Sequence, residues 1–99
     1  MTQRESPFLS AANVAFLERC REDLDALFVP WDHVVEIVPR RGPAGEVELV
    51  ANVVVTGRPA TVTARGETII EAYANLRLAA SEERLALAFR ALMDENAGP

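Results

Sequence analysis

Residues 46–80 read EVELVANVVVTGRPATVTARGETIIEAYANLRLAA, and their pattern decides the fold. From Glu46 to Thr56 the chain alternates, with Val47, Leu49, Ala51, Val53 and Val55 on one side and Glu48, Val50, Asn52 and Val54 on the other. That period of two marks a strand with one buried face. Gly57-Arg58-Pro59 has turn chemistry, and Ala60 to Arg65 reads as a short strand with Thr61 and Thr63 on its polar side. Gly66 opens the next turn. Thr68 and Glu71 then have the capping-box spacing, and Ile69, Tyr73, Leu76 and Ala80 recur as the buried stripe of a helix.

Upstream, Ser10 is a good N-cap, with Leu9 and Val14 placed as a hydrophobic staple. Val14, Leu17, Cys20, Leu24, Leu27 and Phe28 follow at helical spacing, opposite a face rich in charge. Pro30 stops this helix by forcing Val29 out of the α region. His33 to Val38 is β-rich, with Pro39 expected to end it, and Arg40-Arg41-Gly42-Pro43-Ala44-Gly45 forms a connection. Downstream of Ala80 the helical phase shifts: Leu85, Phe89 and Leu92 lie about 160° around the axis from Ile69 at about 100° per residue. Ser81-Glu82-Glu83 is a fresh start signal. A break or kink at Ala80–Ser81 is therefore expected, the alternative being one long helix with two contact faces.

These elements imply an α+β fold, a single domain of order α-β-β-β-α(-α) over residues 9–95. Short connections make the three-stranded sheet antiparallel, and the helices pack on one of its faces. Residues 1–8 and 96–99 are expected to be flexible tails.

The totals narrow the function. The chain has 99 residues, a size suited to one domain, and its longest charge-free β-stretch, Leu49 to Gly57, is far too short to span a membrane. No apolar run follows the N-terminus as in a secretory signal, and the single cysteine, Cys20, fits a reducing compartment, so a cytoplasmic location is expected. The net charge of −5 runs against a general nucleic-acid binder. That charge is uneven: residues 1–30 carry −2, residues 31–66 are neutral and residues 67–99 carry −3. Only the middle, with Arg40, Arg41, Arg58 and Arg65, offers a basic patch for nucleic acid.

Catalytic chemistry is not expected. One histidine and one cysteine do not make a zinc site, and no cofactor or metal is implied. His33 and Glu36 fall on opposite strand faces, no stretch has the form of a nucleophile elbow, and Gly42-Pro43-Ala44-Gly45 lacks the spacing and lysine of a phosphate loop. Cys20 sits on an apolar stripe and reads as a core thiol. No small-molecule substrate is evident. Trp31, the only tryptophan, is either a plug at the end of the core or an anchor for a partner. The outer face of the sheet, with Val34, Val50, Asn52 and Val54, suits a protein partner or a homodimer; partly exposed β-branched residues are also ordinary on open sheets.

Gly66-Glu67-Thr68-Ile69-Ile70-Glu71-Ala72-Tyr73-Ala74-Asn75-Leu76, with Leu24-Asp25-Ala26-Leu27-Phe28 leading into Asp32-His33-Val34-Val35-Glu36-Ile37, resembles the ribosome hibernation-promoting factor family. The resemblance covers roughly residues 14–80. It implies the same α/β fold and a ribosome-associated role in translation regulation; the arginines of the basic middle, Arg40, Arg41, Arg58 and Arg65, are the residues through which such a role would meet RNA. The related double-stranded-RNA-binding domain shares the element order, but its basic residues after the helix cap are replaced here by Ile69 and Ile70. The other reading is a protein-interaction or homodimerisation module that uses the open sheet face and has no nucleic-acid role.

Overall fold

The computed structural model describes residues 10–96. The elements are α1 (Ala11–Leu27), β1 (His33–Arg41), β2 (Val47–Val55), β3 (Arg58–Gly66) and α2 (Ile69–Asn96). The strands form one antiparallel sheet in the order β1-β2-β3. Both helices cover the same face, so the α+β architecture is the expected one. Of the expected tails at 1–8 and 96–99, residues 1–8 and 97–99 lie outside the described residues, as does the Leu9 half of the staple, while Asn96 is the last residue of α2.

The core is the apolar side of β2 closed by one stripe from each helix. Leu49, Ala51, Val53 and Val55 meet Val35 and Val62 from the flanking strands, Leu24 and Phe28 from the end of α1, and Ala72, Leu76, Ala80 and Leu87 from α2. The small residues Ala72 and Ala80 let α2 lie close to the sheet. Ser10 accepts from the Asn13 amide at 3.2 Å, as an N-cap should. At α2, the Thr68 hydroxyl accepts from the Glu71 amide at 3.1 Å, while the Glu71 carboxylate takes the Glu67 amide at 2.6 Å. This is a capping box whose return bond reaches one residue further back than the sequence pattern implies.

Three boundaries differ from the sequence expectation. β1 does not end at Pro39 but runs through it to Arg41, pairing Pro39 with Leu49. It can do so because β1 is an edge strand, where the missing amide can face away from the sheet. Pro59 sits likewise in β3, the other edge, so each exposed edge carries a residue that discourages pairing with another sheet.

The β2–β3 turn is shorter than Gly57-Arg58-Pro59. It is the two residues Thr56 and Gly57, both with positive φ (48° and 83°), flanked by the pair Val55–Arg58. Positive φ at both positions is the type I′ arrangement that matches strand twist.

Finally, α2 does not break at Ser81. It continues for 28 residues, with no Gly or Pro inside it and mostly strong helix formers. Ser81 does not cap a new helix; its hydroxyl accepts from Arg77 Nη1 at 2.9 Å one turn back. At 1.5 Å per residue α2 is about 42 Å long, against about 30 Å for a nine-residue strand. The last turns of α2 therefore extend past the sheet that supports its first half.

Candidate functional site

The register decides what the open face of the sheet presents. Four rows cross it: Arg40/Glu48/Arg65, Val38/Val50/Thr63, Glu36/Asn52/Thr61 and Val34/Val54/Pro59. In the first row Arg40 Nε donates to Glu48 Oε1 at 2.5 Å and Arg65 Nε donates to Oε2 at 3.0 Å. The two guanidiniums roof the carboxylate, leaving Glu48 only 5% exposed. The bonds from Arg40, then Arg65, hold its carboxyl below the ordinary carboxylate range. In the third row the Asn52 amide nitrogen lies 3.4 Å from a Glu36 carboxylate oxygen, and the Thr61 hydroxyl lies 3.3 Å from the Asn52 carbonyl.

This geometry sorts the residues expected to bind partners. Val34 and Val54 are exposed on the last row, and Asn52 is exposed but engaged by its neighbours. Val50, although on the open face, is buried, because it sits on the central strand between Val38 and Thr63. Trp31 is half-buried against the core, with the Arg84 guanidinium 5.4 Å from its ring centroid. Arg84 Nε also donates to the Leu27 carbonyl, tying α2 to the end of α1.

The four arginines are not brought together. Arg40 and Arg65 share one row and one carboxylate. Arg41 follows Arg40 in β1, so its side chain leaves the opposite face, and its Nη1 lies 3.4 Å from the Gly45 carbonyl. Arg58 begins β3, seven residues or about 23 Å along the strand from Arg65 and on the other face.

Two polar clusters bind the elements together. The Tyr73 hydroxyl donates to Asp23 Oδ2 at 2.6 Å, and Arg77 Nε donates to the same oxygen at 2.7 Å. The Tyr73 bond, then Arg77, holds the Asp23 carboxyl below its usual range. Burial, followed by the Asp23 bond, raises the phenol of Tyr73 far above its ordinary value. Burial also pushes the Cys20 thiol up to about 11, which suits an inert core thiol. In the second cluster, His33 faces Asp25 Oδ1 through Nε2 at 3.2 Å and the Trp31 carbonyl through Nδ1 at 2.7 Å. It links the α1 end to β1. Among the described residues, no group of three His, Cys, Asp or Glu side chains is placed to hold a metal ion.

Two apolar surfaces remain. An open groove of about 360 Å³ lies between α1 and β1, lined by Val14, Leu17, Val35, Ile37 and Pro39. Val14, expected on the buried stripe of α1, stands half-exposed at its margin. The larger surface is the outer side of α2. Leu78, Leu85, Phe89 and Leu92 are 55–68% exposed, joined by Met93 near the end and Ile70 near the start. They lie across the helix from Ala72, Leu76, Ala80 and Leu87, so α2 has two apolar faces and uses one.

No protein-family model, curated protein or solved structure matches this chain.

Sequence reasoning singles out Arg40 and Arg65 yet passes over Glu48, the residue that ties them. The signal was the turn: once Thr56-Gly57 is the two-residue loop, Glu48 falls opposite Arg65. The second phase of α2 is legible in the sequence, where it fits either a break at Ala80–Ser81 or one long helix with two contact faces; the structure has the second.

Proposed function

We propose that this chain is a small non-enzymatic protein-interaction module whose contact surface is the outer face of α2. One observation carries the reading: a single uninterrupted helix closes the core with Ala72, Leu76, Ala80 and Leu87 while presenting Leu78, Leu85, Phe89 and Leu92 to solvent. Contiguous exposed apolar surface of this kind marks interaction sites. The open sheet face is a weaker candidate, since Val50 is covered and two of its four rows are polar.

The ribosome-associated reading has less support. A phosphate-binding surface needs converging cations with spare donors. Arg40 and Arg65 share the Glu48 carboxylate, which offsets one of their two charges, and Arg41 and Arg58 leave from the other face at opposite ends of the sheet, so the four do not converge. The two readings separate in native-host lysate resolved on a sucrose gradient at low salt, with wild type compared against Leu85→Glu/Phe89→Glu. The module reading expects wild type in complexes of protein alone, lost in the double variant. Co-sedimentation with ribosomes that both forms share would overturn it.

A further inference from the structure

We infer that the outer face of α2 docks a second copy of this chain, helix against helix and antiparallel, with Leu85 at the two-fold axis. This rests on the module reading above and names its partner.

The first argument is the spacing. Leu78, Leu85 and Leu92 repeat every seven residues, and Phe89 fills the alternate seam position four residues after Leu85. That is the spacing of an a/d seam by which one helix packs along another, complete at the leucine position and carrying Asn75 and Glu82 before Phe89 at the alternate one. Beside the seam, Ser81, Ala86 and Ala88 are small enough for a close approach by an equivalent helix.

The second is area. The five exposed side chains from Leu78 to Met93 offer roughly 500–600 Å² per chain, taking about 110 Å² for each. Two copies would bury roughly 1,000–1,200 Å², at the threshold for a specific interface. The face is thus large enough for a modest dimer.

The third is support. Beyond Leu87, every side chain described through Met93 is exposed or nearly so, including Phe89, Leu92 and Met93. A short helical end is marginal in water without packing along one face. An antiparallel pair lays this end on residues 74–82 of the other copy, the part of α2 backed by its own sheet. Leu78 then meets Leu92, and Glu82 meets Ala88. A parallel pair in register would instead set Glu82 against Glu82 in the seam and leave the two unsupported ends to hold each other. The antiparallel pairing avoids both.

The test is the oligomeric state of the purified full chain, measured by sedimentation velocity from low concentration to about 500 μM, a range suited to a weak interface. Wild type should shift from monomer to dimer. Added salt should strengthen the dimer by screening the −5 charge of each copy. Leu85→Glu should remain monomeric throughout with an unchanged circular-dichroism spectrum, whereas Val34→Lys and Val54→Lys on the sheet face should dimerise as wild type does. In a Cys20→Ser background, an equimolar mixture of Leu78→Cys and Leu92→Cys chains should oxidise mainly to the mixed disulfide. A monomeric wild type, a dimer indifferent to Leu85→Glu, a dimer lost with the sheet-face changes, or predominance of same-site disulfides would each overturn the inference. If wild type is monomeric but the stripe still captures a different protein in lysate, the self-association falls and the module reading stands; if the stripe captures nothing, both fall.

Discussion

Gly66→Ala should destabilise the fold, and the reason separates it from the other glycines of the sheet. A methyl at Gly66 would sit 2.8 Å from the Glu71 carbonyl carbon, 2.9 Å from the Ala72 Cα and closer still to the Ala72 nitrogen. Carbon atoms pack at about 3.5–4.0 Å, so the first turn of α2 must retreat by about 1 Å. All three neighbours are backbone, and no rotamer change relieves the overlap. Overpacking of this kind costs about 1–3 kcal/mol. The retreat also pulls on the capping box at Thr68 and Glu71, worth about 1 kcal/mol. Against these, alanine lowers unfolded-state entropy by an equivalent of about 0.4–1 kcal/mol. The net loss is about 2–3 kcal/mol, or roughly 10–20 °C in Tm for a domain of this size. Gly57, by contrast, has open space around its would-be methyl but a φ of +83°. Its restriction is conformational, so Gly57→Asn should be nearly neutral because asparagine tolerates that region. Gly66→Asn should be at least as damaging as Gly66→Ala. Thermal melts followed by circular dichroism read all three. A Gly66→Ala protein within about 0.5 kcal/mol of wild type, or a rescue by Gly66→Asn, would refute the steric account.

Three further outcomes follow from the same geometry. Thr56 is a β-branched residue held at φ 48°, so Thr56→Asn should raise stability by about 0.5–1 kcal/mol in urea unfolding by relieving left-handed strain. Tyr73 is the only tyrosine, and its raised phenol means the folded chain resists ionisation; stability should be intact below pH 10 and fall as pH rises above it, with the phenolate absorbance appearing together with unfolding rather than before it. Tyr73→Phe should also move the Asp23 carboxyl upward in an NMR titration, since the lost bond is the leading cause of its depression. Glu48 has the opposite sign: its carboxyl is held low in the folded state, so its contribution is present above the ordinary carboxylate range and is lost as pH falls through the folded value. Wild type should therefore exceed Glu48→Gln in Tm at pH 7, and the gap should narrow as pH falls below the ordinary carboxylate range; a constant gap would count against the arginine pair as its cause.

The parts of the fold that the sequence makes legible are those set by local chemistry. Ser10 and Thr68 cap the helices, β2 turns Leu49, Ala51, Val53 and Val55 to the core, and Gly66 marks the passage from β3 to α2, because each depends on residues a few positions away. What stayed hidden depends on partners far along the chain. That Pro39 can lie within a strand follows only from β1 being an edge. That Glu48 pairs with both Arg40 and Arg65 follows only from a register that a one-residue error in the turn would destroy, since such a slip turns every side chain to the other face. Tyr73 meets Asp23 across 50 residues, a distance no local pattern encodes.

The second phase of α2 is the instructive case, because the pattern was legible and its cause was not. A helix whose apolar positions rotate to a new face must either break, so that both faces turn inward, or continue and expose one. Breaking at Ala80–Ser81 would leave the carbonyls of one segment and the amides of the next without helical partners, unless caps were provided. Ser81 could serve as such a cap, but its hydroxyl is engaged by Arg77, and Arg84 anchors the following turn to the Leu27 carbonyl and the Trp31 ring. Those two arginines fix the helical phase across the junction, so Leu87 continues the buried face begun by Ala72, Leu76 and Ala80. Continuity then obliges Leu85, Phe89 and Leu92 to point away from the protein's own core. The same side chains that hold α2 against α1 thus fix which face it turns to solvent, and loosening them should weaken docking without touching the stripe: Arg84→Ala is expected to lower dimer affinity while leaving every apolar contact residue in place.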